Sequence, residues 1–83
     1  MKGKNLQELV EFVAQSLVDQ PTQVHVEKQE HGNSIQLELY VAKPDMGRVI
    51  GKGGRVANSI RTLLNVAAAR DGNRVQLDIV EPN

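Results

Sequence analysis

Eighty-three residues make one domain, near the lower limit of what folds on a single core, and the absence of cysteine excludes disulfides and thiolate metal sites. Ten basic and ten acidic residues cancel, which at first argues against a nucleic-acid partner, because domains that bind one are usually basic. His25 and His31 stand alone with no cluster of metal-ligand spacing around them, so no metal or cofactor is expected.

The first periodic stretch puts Leu6, Leu9, Val10, Val13 and Leu17 on one helical face before Pro21 stops the run. This predicts a helix over 6–19, with Asn5 and Glu8 spaced as a capping box. Gln7, Glu8, Glu11 and Gln15 interrupt the same stretch, so it reads neither as a membrane span nor as a signal peptide. A soluble protein of the cytoplasm is expected, with no membrane contact. Phe12 lies off the stripe and reads as a partly exposed aromatic.

From Thr22 the period changes to two. Val24 and Val26 alternate with His25 and Glu27, and the turn sequence EHGNS separates them from Ile35, Leu37, Leu39 and Val41. The pattern predicts a hairpin of strands over 22–30 and 34–42, each with one apolar face. Pro44 and Asp45 then start a short helix, 46–50, which Gly51 ends. A longer helix follows over 55–70, the sequence DGN closes it, and Val75, Leu77 and Ile79 alternate as a last strand.

Charge is unevenly spread along this order. Residues 1–42 carry three lysines against six acids, whereas residues 43–74 carry seven bases against only Asp45 and Asp71, and Asp78 and Glu81 follow. The stretch GRVIGKGGRVANSI, with Gly47, Gly51, Gly53 and Gly54 inside eight positions, sits within the basic segment. Only four residues separate the two helices there, so the chain must reverse quickly through positive φ values that glycine tolerates. The lack of Cβ atoms also lets a ligand backbone lie against the loop amides and the start of the next helix, where the dipole favours an anion. The loop is no P-loop, since three residues rather than four separate Gly47 from Gly51 and no Ser or Thr follows Lys52. It is no dinucleotide fingerprint either, because it follows a helix and not a strand.

These residues resemble the KH-domain signature, in which a GxxG loop, here Gly51 to Gly54, joins two helices and clamps about four nucleotides of single-stranded nucleic acid. The element order α-β-β-α-α-β is similar to the bacterial type II arrangement. An α+β fold is implied, with a three-stranded mixed sheet packed on one side by three helices. The first two strands would be antiparallel, and the last would run parallel to the second on its other side. The similarity covers residues 1–83 as a single KH domain, with a core of about 33–80 and an N-terminal helix-strand extension over 5–30. A short chain carrying GRVIGKGGRVANSIR is most similar to the KhpA family of small bacterial KH proteins. That resemblance implies RNA binding, a role as RNA chaperone or post-transcriptional regulator, a second KH protein of the KhpB type as partner, and a link to cell shape and cell-wall synthesis.

Residue roles follow from the resemblance. Gly51, Gly53 and Gly54 would admit the backbone of the strand, Lys52 and Arg55 would neutralise phosphates, and Arg48 and Asn58 would flank the groove. Val49, Ile50 and Ala57 would form its apolar floor, shallower at Ala57 where many KH domains have isoleucine. The alternative for each arginine is a solvated surface charge.

A protein-interaction module with an inactive groove is the competing reading. An enzyme is not expected, nor a small-molecule substrate, since Ser16, Ser34, Ser59 and two isolated histidines offer no nucleophile, base and orienting acid. With Phe12 and Tyr40 as the only Phe or Tyr, base stacking on the sheet is excluded. In the last helix, apolar residues from Val56 to Ala68 cover an arc of about 200°, wider than one sheet requires. Ile60 and Leu64 are therefore expected at a two-fold interface, in a homodimer or an equivalent heterodimer, unless the first helix covers the excess.

Overall fold

A computed structural model describes the backbone of residues 2–81 and the side chains of residues 6–51 and 53–81. The order is α1 (Lys2–Leu17), β1 (His25–His31), β2 (Ser34–Tyr40), α2 (Met46–Ile50), α3 (Arg55–Arg70) and β3 (Arg74–Val80). It is the order expected of a type II KH domain. α2 and α3 match their expected bounds, because Pro44 precedes the pair, glycines divide it and Gly72 closes it. α1 does not: it begins four residues earlier, so Asn5 lies within the helix rather than capping it, and the Asn5 side chain is outside the described residues. β1 begins three residues later than expected, because Pro21–Gln23 first form a 3-10 turn closed by Val24 N–H donating to Pro21 O at 3.1 Å.

The strand order is β1-β2-β3, with β1 antiparallel and β3 parallel to β2. Only two residues, Gly32 and Asn33, connect β1 to β2, and Gly32 adopts φ +61° as the first central residue of such a tight hairpin requires. Ile35, Leu37 and Leu39 point to one face of β2 and are buried there with Val26 and Leu77. Leu6, Val10 and Ala14 of α1 and Ile60, Leu64 and Ala68 of α3 cover that face, so α1 belongs to the same core as the rest. Gln7 Nε2 also donates to Val26 O at 2.8 Å, joining α1 to β1. Beyond α3, Gly72 at φ +72° ends the helix, with its N–H donating to Ala69 O at 3.1 Å and that of Asn73 to Ala68 O at 3.0 Å, the paired bonds of a Schellman cap.

Asp45 holds the far end of the molecule together. It caps nothing, although its place before α2 suggests a helix start. Its carboxylate is 1% exposed and accepts the backbone N–H groups of Asp19 and Gln20, each at 3.1 Å, where the chain leaves α1. Arg48 completes the site, its Nε 3.5 Å from Asp45 Oδ1 and its terminal nitrogen donating to Asp19 Oδ2 at 2.8 Å. The buried charge is thereby hydrogen-bonded and paired, which is the condition for its burial. Asp45→Ala removes the acceptor of two N–H groups and is expected to lower the unfolding free energy by about 2–4 kcal/mol. Urea denaturation of the two proteins measures the difference.

Candidate nucleic-acid interface

The reversal between α2 and α3 uses three left-handed glycines in four residues: Gly51 at φ +71°, Gly53 at +62° and Gly54 at +84°. Their reasons differ. A Cβ on Gly51 would lie 2.9 Å from the Val56 backbone nitrogen and collide with its side chain, so this glycine is required by close packing of the loop on α3. A Cβ on Gly53 would meet nothing within 4 Å. Gly53 therefore leaves an open, bare backbone where another molecule can approach. Gly54 stands at the start of α3 in the left-handed region, and no side chain among the described residues caps the helix there, so its first N–H groups are open to an external acceptor.

Around this loop the structure brings together some of the expected side chains. Asn58 lies beside Gly54, its Nδ2 3.8 Å from where a Cβ would stand, and Arg55 is exposed with no carboxylate partner among the described residues. The Lys52 side chain is outside the described residues. Arg48 is already engaged with Asp19 and Asp45, so its charge braces α1 and α2 rather than standing free beside the groove. Val49 is fully buried in the core and so cannot offer a floor to a ligand. Ala57 is likewise buried, and of the three floor residues only Ile50 is exposed.

An open groove of ≈ 270 Å³ lies between α3 and β3, over Leu64 and Leu77 and past Arg61, Asn65, Gln76 and Asp78. Arg61 spans it, Nε donating to Leu77 O at 3.1 Å and a terminal nitrogen to Asn58 Oδ1 at 3.0 Å. Since Leu77 O is taken from outside the sheet, it lies on the free edge of β3, where alternate residues present both backbone groups away from β2. Sequence reasoning missed Arg61, Asn65, Gln76 and Asp78. A signal was present: Asn58, Arg61 and Asn65 recur at helical spacing next to the Ala57, Ile60, Leu64 and Ala68 stripe.

A family model described as KhpA/KhpB, KH domain, matches residues 7–79. The chain belongs to this KhpA/KhpB family. Among its relatives are proteins called RNA-binding protein KhpA in three organisms. That of Clostridium perfringens is 48% identical over 75 residues, spanning 90% of this chain and all of the relative. That of Halalkalibacterium halodurans is 45% identical over 73 residues, 88% of this chain and 96% of the relative. That of Chlamydia trachomatis is 43% identical over 76 residues, 92% of this chain and 97% of the relative.

One expectation for this KhpA/KhpB-family chain needs correction. Ile60 and Leu64, expected at an interface between two copies, are 3% and 1% exposed within a single chain and pack on its own sheet. They have no surface left to give. The wide apolar arc of α3 is real, but its outer half consists of Leu63 and Val66, at 54% and 58% exposure. The width of an arc does not say which half faces the core.

The two glycine reasons predict different costs. Gly51→Ala combines an unfavourable φ with a steric collision and is expected to destabilise by about 2–4 kcal/mol. Gly53→Ala meets only the φ penalty, about 1 kcal/mol. Thermal and urea unfolding of the two variants separates them.

Proposed function

We propose that the protein is an RNA-binding module that holds a short single strand in the groove running from the GxxG loop along α3 and β3. The observation that carries this is Gly53, a left-handed glycine with open space around it, beside the uncapped start of a sixteen-residue helix. A phosphate placed there meets backbone N–H groups, the helix dipole and the charges of Lys52 and Arg55. The names of the relatives support RNA as the ligand. Base edges would then enter the α3–β3 groove, where the Asn65 amide, Gln76 and the Asp78 carboxylate offer donors and acceptors. Of the three expected floor residues, Ile50 is the one that keeps apolar surface for a base to rest on. No bond chemistry is part of the reading.

The wider role follows the family. The protein acts in the cytoplasm as an RNA chaperone or post-transcriptional regulator, in complex with a second copy or with a KhpB-type KH protein, in a process tied to cell shape and cell wall. Leu63 and Val66 favour the paired state, because they leave an apolar strip on α3 that neither α1 nor the sheet covers. The chain as a whole is one KH domain in this reading, with the α1–β1 segment as its N-terminal part.

Binding of a labelled single-stranded RNA is expected to weaken with salt at a slope of log affinity on log salt near −2, from roughly −0.7 per phosphate and about three phosphates held. A joint Lys52→Asp, Gly53→Asp substitution is expected to abolish binding with an unchanged circular dichroism spectrum, since aspartate tolerates the left-handed region and Gly53 has room. Salt-independent binding, or a variant that still holds RNA, would favour the protein-interaction reading. For the paired state, sedimentation at tens of micromolar is expected to show a dimer that Leu63→Asp converts to a monomer. Wild-type protein that sediments as a monomer removes the homodimer from the proposal.

A further inference from the structure

The open face of the sheet carries a graded charge pattern. Strand register sets its side chains in rows across β1, β2 and β3: His25, Tyr40 and Val80, then Glu27, Glu38 and Asp78, then Gln29, Gln36 and Gln76, and last His31, Ser34 and Arg74. The second row is entirely acidic, the third neutral, and the fourth holds donors and a permanent cation. Gln36 Nε2 donates to Asp78 Oδ2 at 3.0 Å, so even the boundary between the neutral and acidic rows is hydrogen-bonded.

The last row lines a second concavity of ≈ 350 Å³ with Gln36 and Gln76. Arg74 N–H donates to Asn33 O at 2.8 Å, which anchors the start of β3 against the hairpin turn and sets its side chain beside Ser34. Neither the Arg74 guanidinium, the Ser34 hydroxyl nor the His31 ring is engaged in a hydrogen bond or ion pair among the described residues. The acidic row stands two rows away, about 13 Å at the usual rise per strand residue. An arginine fork and a hydroxyl on adjacent strands, with no ion pair to a carboxylate among the described residues, suit a phosphate.

This concavity and the α3–β3 groove share Val75 and Gln76 of the edge strand. We propose that a bound RNA longer than the groove turns over the edge of β3 at Gln76 and seats one further phosphate against Arg74, Ser34 and His31 on the open face of the sheet. The inference rests on the RNA-binding reading. The acidic row gives the strand its direction, since phosphates crossing the upper sheet would meet Glu27, Glu38 and Asp78 and are repelled there.

Fluorescence anisotropy of the full chain with labelled random-sequence RNA of four and of eight nucleotides tests it. Arg74→Gln is expected to weaken octamer binding about fivefold and to make its salt slope shallower by about 0.7, while the tetramer, held by the loop and groove, is bound as before. Ser34→Asp, which places a carboxylate at the same spot from the neighbouring strand, is expected to produce the same octamer-specific loss. Arg70→Gln, an equal loss of charge at the exposed end of α3, leaves both lengths unaffected. An octamer indifferent to Arg74→Gln, an equal loss for both lengths, or an equal effect of Arg70→Gln overturns the extension while RNA binding stands. Wild-type protein that binds neither length overturns the RNA reading and the extension with it.

Discussion

A single buried carboxylate fixes the geometry on which the groove depends. Asp45 sits at the junction of three segments, accepting the backbone of Asp19 and Gln20 where α1 ends and pairing with Arg48 from α2. α2 has only five residues and little packing surface of its own beyond Val49. Its orientation is set by that carboxylate at one end and by Gly51 against Val56 at the other. The loop that follows inherits its direction from both. A charge buried this completely is tolerated only because each of its partners is supplied, so the same arrangement that places α2 also penalises any alternative placement.

The glycine loop shows two demands written in one residue type. Gly51 serves the fold by absence of bulk toward α3, and Gly53 serves the ligand by absence of bulk toward solvent. Nothing in the sequence separates them, because both stand in a short reversal and both need a positive φ. Spatial surroundings alone make one a packing residue and the other a point of access.

Much of the architecture was legible because local pattern and global fold agree. The change from a helical period to alternation at Thr22, Pro44 before the short helix and Gly51 after it, and the alternation of Val75, Leu77 and Ile79 were all local signals that the fold then satisfies. What was not legible involved partners distant in the chain. Asp45 looked like a helix start since the backbone donors it serves, Asp19 and Gln20, lie 26 and 25 positions away. Arg48 looked like a groove cation because nothing local announces Asp19. Ile60 and Leu64 were assigned outward because a helical wheel gives relative angles and no reference direction. Gln76 and Asp78 escaped notice because the expected strand order makes β3 an edge without saying that α3 leaves a groove along it.

The parallel pairing of β2 with β3 has a consequence for how the groove comes into being. Its first paired residues, Ser34 and Arg74, are separated by forty positions, and the α2–loop–α3 segment lies wholly within the excursion. Closing a loop of that length costs on the order of 3 kcal/mol of chain entropy before any contact rewards it. One wall of the groove is inside the loop and the other is the strand that seals it, so the groove does not exist in any partly assembled form of the chain. A ligand that touches both walls acts on that closure directly: it adds its binding free energy to a pairing forty positions apart, and couples occupancy of the groove to the folding equilibrium.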